Sequence, residues 1–162
     1  MNILSDEDLI DFVYCELAGQ QIRDKITDFT DYAKWRSVVN EMEMSVATVY
    51  RIGIFNLEMV NGGLIQYFDN AYGIFAYETL ADFKRIGANL SYQILETGLK
   101  YVNPKIYSDE RFIKLVTERE YEDYENLISP KLSELDNKYY ELNENEDLGK
   151  LLADYIRKQA NV

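Results

Sequence analysis

Only two prolines, Pro104 and Pro130, occur in 162 residues. Proline removes a backbone donor and stops helices, so almost the whole chain is free to run as helix. Its apolar residues follow that period. Ser5 is placed to cap a first helix, with Asp6, Glu7 and Asp8 in the turn where the helix dipole favours acids. Leu9, Phe12, Val13 and Leu17 then fall at i, i+3, i+4 and i+8, one face of a helix. A second helix is predicted around Tyr32–Met42, and a third over Met44–Val60. On the third, Val46, Val49, Gly53, Leu57 and Val60 line one side, and Ile52 and Phe55 widen it. Asn61-Gly62-Gly63 breaks the pattern, because both residue types tolerate the left-handed conformation. A short helix follows over Leu64–Asn70. Further helices are read at Phe75–Ile86 and Asn89–Val102, split by Gly87, and at Asp109–Leu127. Ser129 and Pro130 read as N-cap and first residue of the next helix, with Leu132, Leu135, Tyr139 and Leu142 on its apolar face. The last helix takes Asn145 as cap, Glu146 and Asp147 in its first turn, and Leu148, Leu151, Leu152, Tyr155 and Ile156 as its buried face. The expectation is an all-α fold of seven to nine helices with little or no β-strand, forming a single compact helical domain over 1–162.

Composition narrows the chemistry. Histidine is absent, which removes Ser–His and Cys–His nucleophile pairs and every His-containing metal site. Neither GxGxxG nor GxxxxGK[ST] occurs. Cys15 is the single cysteine and has no base near it in sequence. Glu141, Asn143, Asn145 and Asp147 alternate loosely like a calcium loop, but Glu146 stands where that loop needs glycine. The reading is therefore no enzyme, no metal and no cofactor. Apolar runs are too short for a membrane helix. The opening MNILSDEDLIDF lacks the basic and apolar regions of a secretory signal. The compartment expected on these grounds is cytoplasmic.

The net charge is −12, from 17 basic and 29 acidic residues, and it is unevenly placed. Residues 1–31 hold eight acids and two bases, net −6. Residues 32–105 hold seven of each. Residues 106–147 hold thirteen acids and five bases, net −8. Residues 148–162 hold one acid and three bases, net +2. A polyanion repels nucleic acid and anionic membranes and attracts basic surfaces. On a continuous helix, Glu118, Glu122 and Glu125 share a face, with Glu120 and Asp123 as a second pair. Four helical residues rise about 6 Å, so the row forms a ladder of carboxylates. Glu118, Glu120, Glu122, Asp123 and Glu125 are the candidate partner-binding surface.

The densest unusual stretch is EMVNGGLIQYFDN, residues 58–70. Glu58 and Asn61 are three apart at a helix end. Gln66 and Asn70 are four apart on the next helix. Side-chain amides at such a junction satisfy backbone groups left open where one helix stops and another starts. Glu58, Asn61, Gly62, Gly63, Gln66 and Asn70 are thus read as a structural motif, with a ligand pocket as the alternative.

The same stretch resembles the E-x-x-NGG-F-x-Q-Y/F-F-x-N core of a bacterial domain-of-unknown-function family, with Leu64 where an aromatic is usual. ETLADFKRIGAN (78–89) is similar to that family's helix pair, and LDNKYYELNENEDLGKLLADYIRKQ (135–159) to its C-terminal pattern. The resemblance spans about residues 45–160. It implies an all-α domain. The family's best-studied member is an acidic DNA mimic protein that sequesters a transcription factor by presenting carboxylates in place of phosphates.

Three functions fit these residues. The first is an acidic protein-interaction module, a DNA mimic that binds a basic DNA-binding protein and no nucleic acid itself. The second is an immunity or antitoxin-type inhibitor of a basic toxin or nuclease. The third is a small-molecule-binding domain centred on NGGLIQYFDN. The expected state is a monomer or weak homodimer.

Overall fold

The computed structural model describes residues 4–142 and 144–160, and these contain helices and no strand. Helix α1 (Asp6–Asp11) opens where expected, with the Ser5 hydroxyl accepting the Asp8 N–H at 3.1 Å. It does not continue as an ordinary helix. Phe12–Ala18 is π-helical and leads into α2 (Gly19–Lys25). A π turn advances the apolar face by five residues rather than four, so Val13, Ala18 and Ile22 are buried while Phe12 and Leu17 are exposed. The expected face of Leu9, Phe12, Val13 and Leu17 is corrected accordingly.

Helix α3 (Tyr32–Asn40) starts at Asp31, whose carboxylate accepts the Lys34 N–H at 3.0 Å. Helix α4 (Met44–Asp69) runs through the middle and touches α3, the π segment and most later helices. The π segment crosses it so closely that a Cβ on Gly53 would sit 2.6 Å from the Tyr14 ring. Tyr14 stacks on Tyr50 at 5.5 Å. Beyond this crossing the same face of α4 has no cover, so Leu57 and Val60, expected inside, are exposed. Phe55 sits at the centre, edge-on to Tyr67, Phe83 and Tyr139 at 5.3, 5.0 and 6.0 Å. Each fully buried ring contributes about 1.5–3 kcal/mol.

After a 3-10 turn (Tyr72–Phe75) come α5 (Ala76–Ile86) and α6 (Asn89–Val102), divided at Gly87. A buried ionic network not foreseen from the sequence ties α3, α4 and α5 together. Asp82 on α5 accepts from Thr48 Oγ1 at 2.9 Å, from Arg51 Nε at 2.6 Å and from Arg85. Glu78, also on α5, pairs with Arg36 at 2.6 Å.

The largest departure follows. The helix expected over Asp109–Leu127 stops at Thr117, giving α7 (Asp109–Thr117). Arg119 and Asp123 adopt positive φ, 54° and 51°, and a π turn over Tyr124–Ile128 feeds α8 (Ser129–Leu142). The chain turns because the end of α4 holds it. Arg119 donates to the Asp69 carbonyl at 2.8 Å and Tyr124 Oη to Asp69 Oδ1 at 3.1 Å. Ser129 is already helical, so it is no N-cap.

The cap of α9 (Leu148–Ala160) is Asp147, which accepts the Lys150 N–H at 2.9 Å, and not Asn145. Glu146 instead caps α6, taking the Leu90 and Ser91 N–H groups at 2.7 and 2.9 Å. Ala88 before α6 has no acceptor side chain, so those N–H groups need a distant one. Leu148, Leu152, Tyr155 and Ile156 are buried as expected, with Leu151 partly so. No described helix is long and apolar enough to cross a membrane.

Candidate functional site

The motif at residues 58–70 is a joint inside α4. Gly63 takes φ 74° and ψ −164°, a region open essentially to glycine alone. The chain leaves the helix there and re-enters it at Leu64. The restarted turn exposes backbone donors, and a carboxylate from α8 takes one: Asp136 Oδ1 accepts the Leu64 N–H at 2.8 Å. Tyr140, also on α8, donates its hydroxyl to the Met59 carbonyl at 2.6 Å, one turn before the break. Glu58 is buried and accepts from Asn70 Nδ2 at 2.8 Å. Asn70 ends the helix, its N–H bonded to the Gln66 carbonyl at 2.9 Å.

The expected knot is therefore only partly as read. The structure joins Glu58 to Asn70. Asn61 and Gly62 face solvent, and the Gln66 side chain lies over Gly62. Asp136 and Tyr140 do the work assigned to the amides. Their signal was present in LDNKYY, a segment similar to the family pattern, but nothing in sequence spacing connects Asp136 and Tyr140 to a glycine 73 and 77 residues earlier. Four surface cavities, beside Glu146, Tyr107, Asp11 and Arg51, are lined by residues outside 58–70.

Burial raises the Asp136 carboxyl above its ordinary value of 3.8, and the opposing pull of the Leu64 N–H is smaller. A raised folded pKa means that the protonated form favours the fold. That contribution is complete below about pH 4 and fades as pH rises through the raised value. Near neutrality the group carries a desolvation cost. Asp136→Asn keeps an acceptor for Leu64 and removes the charge, so its melting temperature at pH 7 is expected to equal or exceed that of the parent. Asp136→Ala leaves the N–H unpartnered and is expected to lose about 1–3 kcal/mol. Equal damage from Asn and Ala in thermal melts at pH 7 would refute this account.

The five acids proposed as a partner-binding surface do not share a helix face. Glu118 ends α7, Glu120 and Glu122 lie in the loop, Asp123 turns it, and Glu125 sits in the π turn. Three of them are engaged by bases. Glu118 lies 3.7 Å from Lys114, Glu120 bonds Arg111, and Glu122 bonds Lys105. The Arg111 guanidinium holds the Glu120 carboxyl below its usual range. Asp123 accepts from Asn126 at 2.9 Å. The expected ladder of carboxylates is thus a surface of mixed charge. Of the residues in the calcium-like alternation, Asn143 lies outside the described residues.

A larger group of exposed acids without ion-pair partners lies in the first 31 residues. Asp6 pairs with Arg157 at 2.6 Å. Glu7, Asp8, Asp11, Glu16, Asp24, Asp28 and Asp31 are all exposed, and none has an ion-pair partner among the described residues. Helix α1 packs on α9, and this contact brings Asp147, the last acid of the second flank, beside acids of the first. A groove between them is lined by Asp6, Glu7, Asp11 and Asp147, with Lys150 as its one base among the lining residues. Sequence reasoning missed this because the residues are some 140 positions apart.

A family model described as DMP19-like protein matches residues 40–159. That span includes the Gly63 joint, Asp136 and Asp147, and excludes α1. No curated protein and no solved structure matches the chain.

Proposed function

We propose that this chain, which belongs to the family of DMP19-like proteins, is an acidic protein-interaction module that occupies the DNA-binding surface of a basic partner. The observation that carries this reading is the α1–α9 groove. There Glu7, Asp11 and Asp147 stand together with no base bound to their carboxylates among the described residues. Desolvating a carboxylate already paired to a lysine gains a partner little, whereas an unpaired one attracts a cationic surface directly. The family resemblance supplies the form of the partner, a DNA-binding protein met by carboxylates in place of phosphates. The absence of histidine and of phosphate-binding loops fits a binding module rather than an enzyme.

The test uses the full chain, immobilised, to capture protein from a lysate of its native host. The captured partner is expected to be displaced by duplex DNA, and its affinity to fall steeply between about 50 and 200 mM salt. The variant Glu7→Gln, Asp11→Asn, Asp147→Asn keeps a capping side chain before α9 and is expected to lose most capture. The variant Glu118→Gln, Glu120→Gln, Glu122→Gln is expected to lose much less. Loss confined to the second variant would move the interface to the α7–α8 loop. A partner indifferent to DNA would remove the mimicry.

A further inference from the structure

Helices α3, α4 and α5 border a surface cavity of about 230 Å³ that has no part in the acidic groove or the Gly63 joint. Its lining is of two kinds. Met42, Met44, Ala47 and Ala81 are apolar. Opposite in character are the buried Arg51 and Asp82, with Arg85 beside them. Ligand sites combine the same elements, an apolar lining and a few fixed polar groups.

The charges of this cluster do not cancel. Its ion pairs join Arg36 to Glu78, and both Arg51 and Arg85 to Asp82. Three guanidiniums face two carboxylates, net +1, in a chain of net −12. Glu78 is matched by Arg36 and also accepts from Asn40 Nδ2 at 3.1 Å. Arg51 directs Nε and Nη2 to Asp82 and Nη1 to Asn40. The excess is therefore the charge of Arg85. Its Nη1 is bonded to Asp82 and Thr48, while its Nε and Nη2 have no hydrogen-bond partner among the described residues. With its side chain 30% exposed, Arg85 can turn this free edge to a ligand. The acids nearest in sequence to Met42 and Met44 do not compete for it. Glu41 accepts from Ser37, Glu43 from the Ser45 N–H and hydroxyl, and neither lines the cavity.

We propose that this cavity binds a small aliphatic monocarboxylate, its carboxylate on the free edge of Arg85 and its chain against Met42, Met44, Ala47 and Ala81. A guanidinium edge takes a carboxylate through two parallel bonds, and one added negative charge neutralises the cluster. At water's liquid share of about 30 Å³ per molecule, the cavity has room for about eight non-hydrogen atoms, the size of a six-carbon acid. The proposal is independent of the acidic groove, which lies between α1 and α9.

Titration calorimetry of the full chain with acetate, butyrate and hexanoate at constant ionic strength tests it. Affinity is expected to rise about fourfold for each methylene added up to hexanoate, the factor that corresponds to about 0.8 kcal/mol per buried methylene. Arg85→Met keeps the stem and removes the guanidinium, and Asp82 retains Arg51 and Thr48. Ala81→Leu fills the cavity from an exposed position on α5 and leaves the ion pairs alone. Each variant is expected to melt near the parent temperature and to bind hexanoate at least about tenfold more weakly. The Glu7, Asp11, Asp147 variant is expected to bind it as the parent does. No heat from hexanoate at about 10 mM would overturn the proposal. So would acetate binding as tightly as hexanoate, which reduces the site to bare charge, or 1-hexanol doing so, which reduces it to an apolar cleft. Parent affinity in either variant would place the acid elsewhere and overturn it too. If Arg85→Met fails to fold, Ala81→Leu and the three acids decide.

Discussion

Gly63→Ala is expected to destabilise the domain by about 3–5 kcal/mol, a large part of the roughly 5–15 kcal/mol that holds a domain of this size together. Two costs combine. At φ 74° and ψ −164° any side chain is strained by about 1–3 kcal/mol. The new methyl would also overlap the Asp136 carboxylate. Moving that carboxylate breaks its bond to the Leu64 N–H, worth about another 1–3 kcal/mol when the donor is left buried. The costs share a cause, so Gly63→Ala combined with Asp136→Ala is expected to be less damaging than the sum of the single variants. Denaturant unfolding of the three variants measures this. A loss under about 1 kcal/mol for Gly63→Ala would mean that α4 closes into an unbroken helix and that the joint is not required.

Asp82→Ala is expected to cost about 3–5 kcal/mol, the range for breaking a buried pair by removing one partner. Asp82 is fully buried, and its two oxygens receive Thr48, Arg85 and two nitrogens of Arg51. Arg51 is itself buried, and its remaining side-chain contact is to Asn40 at 3.1 Å. Without Asp82 a guanidinium is left in the core with no anion. The double variant Arg51→Met, Asp82→Leu removes both charges and keeps comparable volume. It is expected to recover most of the loss, because an apolar pair avoids the desolvation cost that the ion pair must offset. Thermal unfolding separates the cases. A double variant as unstable as Asp82→Ala would assign the damage to packing between α4 and α5 instead of to the stranded charge.

Both sites lie in the chain's neutral middle, residues 32–105, and both have one partner that local sequence does not reveal. Asn61-Gly62-Gly63 announced a break, and the break is at Gly63. That Asp136 occupies the space a side chain would need follows only from α8 lying across the joint. Asp82 reads as an ordinary polar position in ETLADFKRIGAN. Its burial depends on Arg51, 31 residues earlier, facing it.

Helix content, the cap at Ser5, the split at Gly87 and the apolar face of α9 were determined by the sequence itself. Each depends on residues within about a turn of one another, and short-range spacing records such contacts directly. The register of the first helix, the end of α7 and the charge surface were decided by tertiary structure. Like-spaced carboxylates from Glu118 to Glu125 predicted a ladder, but Asp69 at the end of α4 draws Arg119 and Tyr124 back and unwinds the helix that would have carried it. Lysines and arginines then reach three of the acids. The unpaired carboxylates of Glu7, Asp11 and Asp147 come together only because α1 packs on α9. Net charge is a sum over residues and is legible in one dimension. Which charges remain uncompensated depends on distances of a few ångströms between residues far apart in sequence, and those distances exist only in the folded chain.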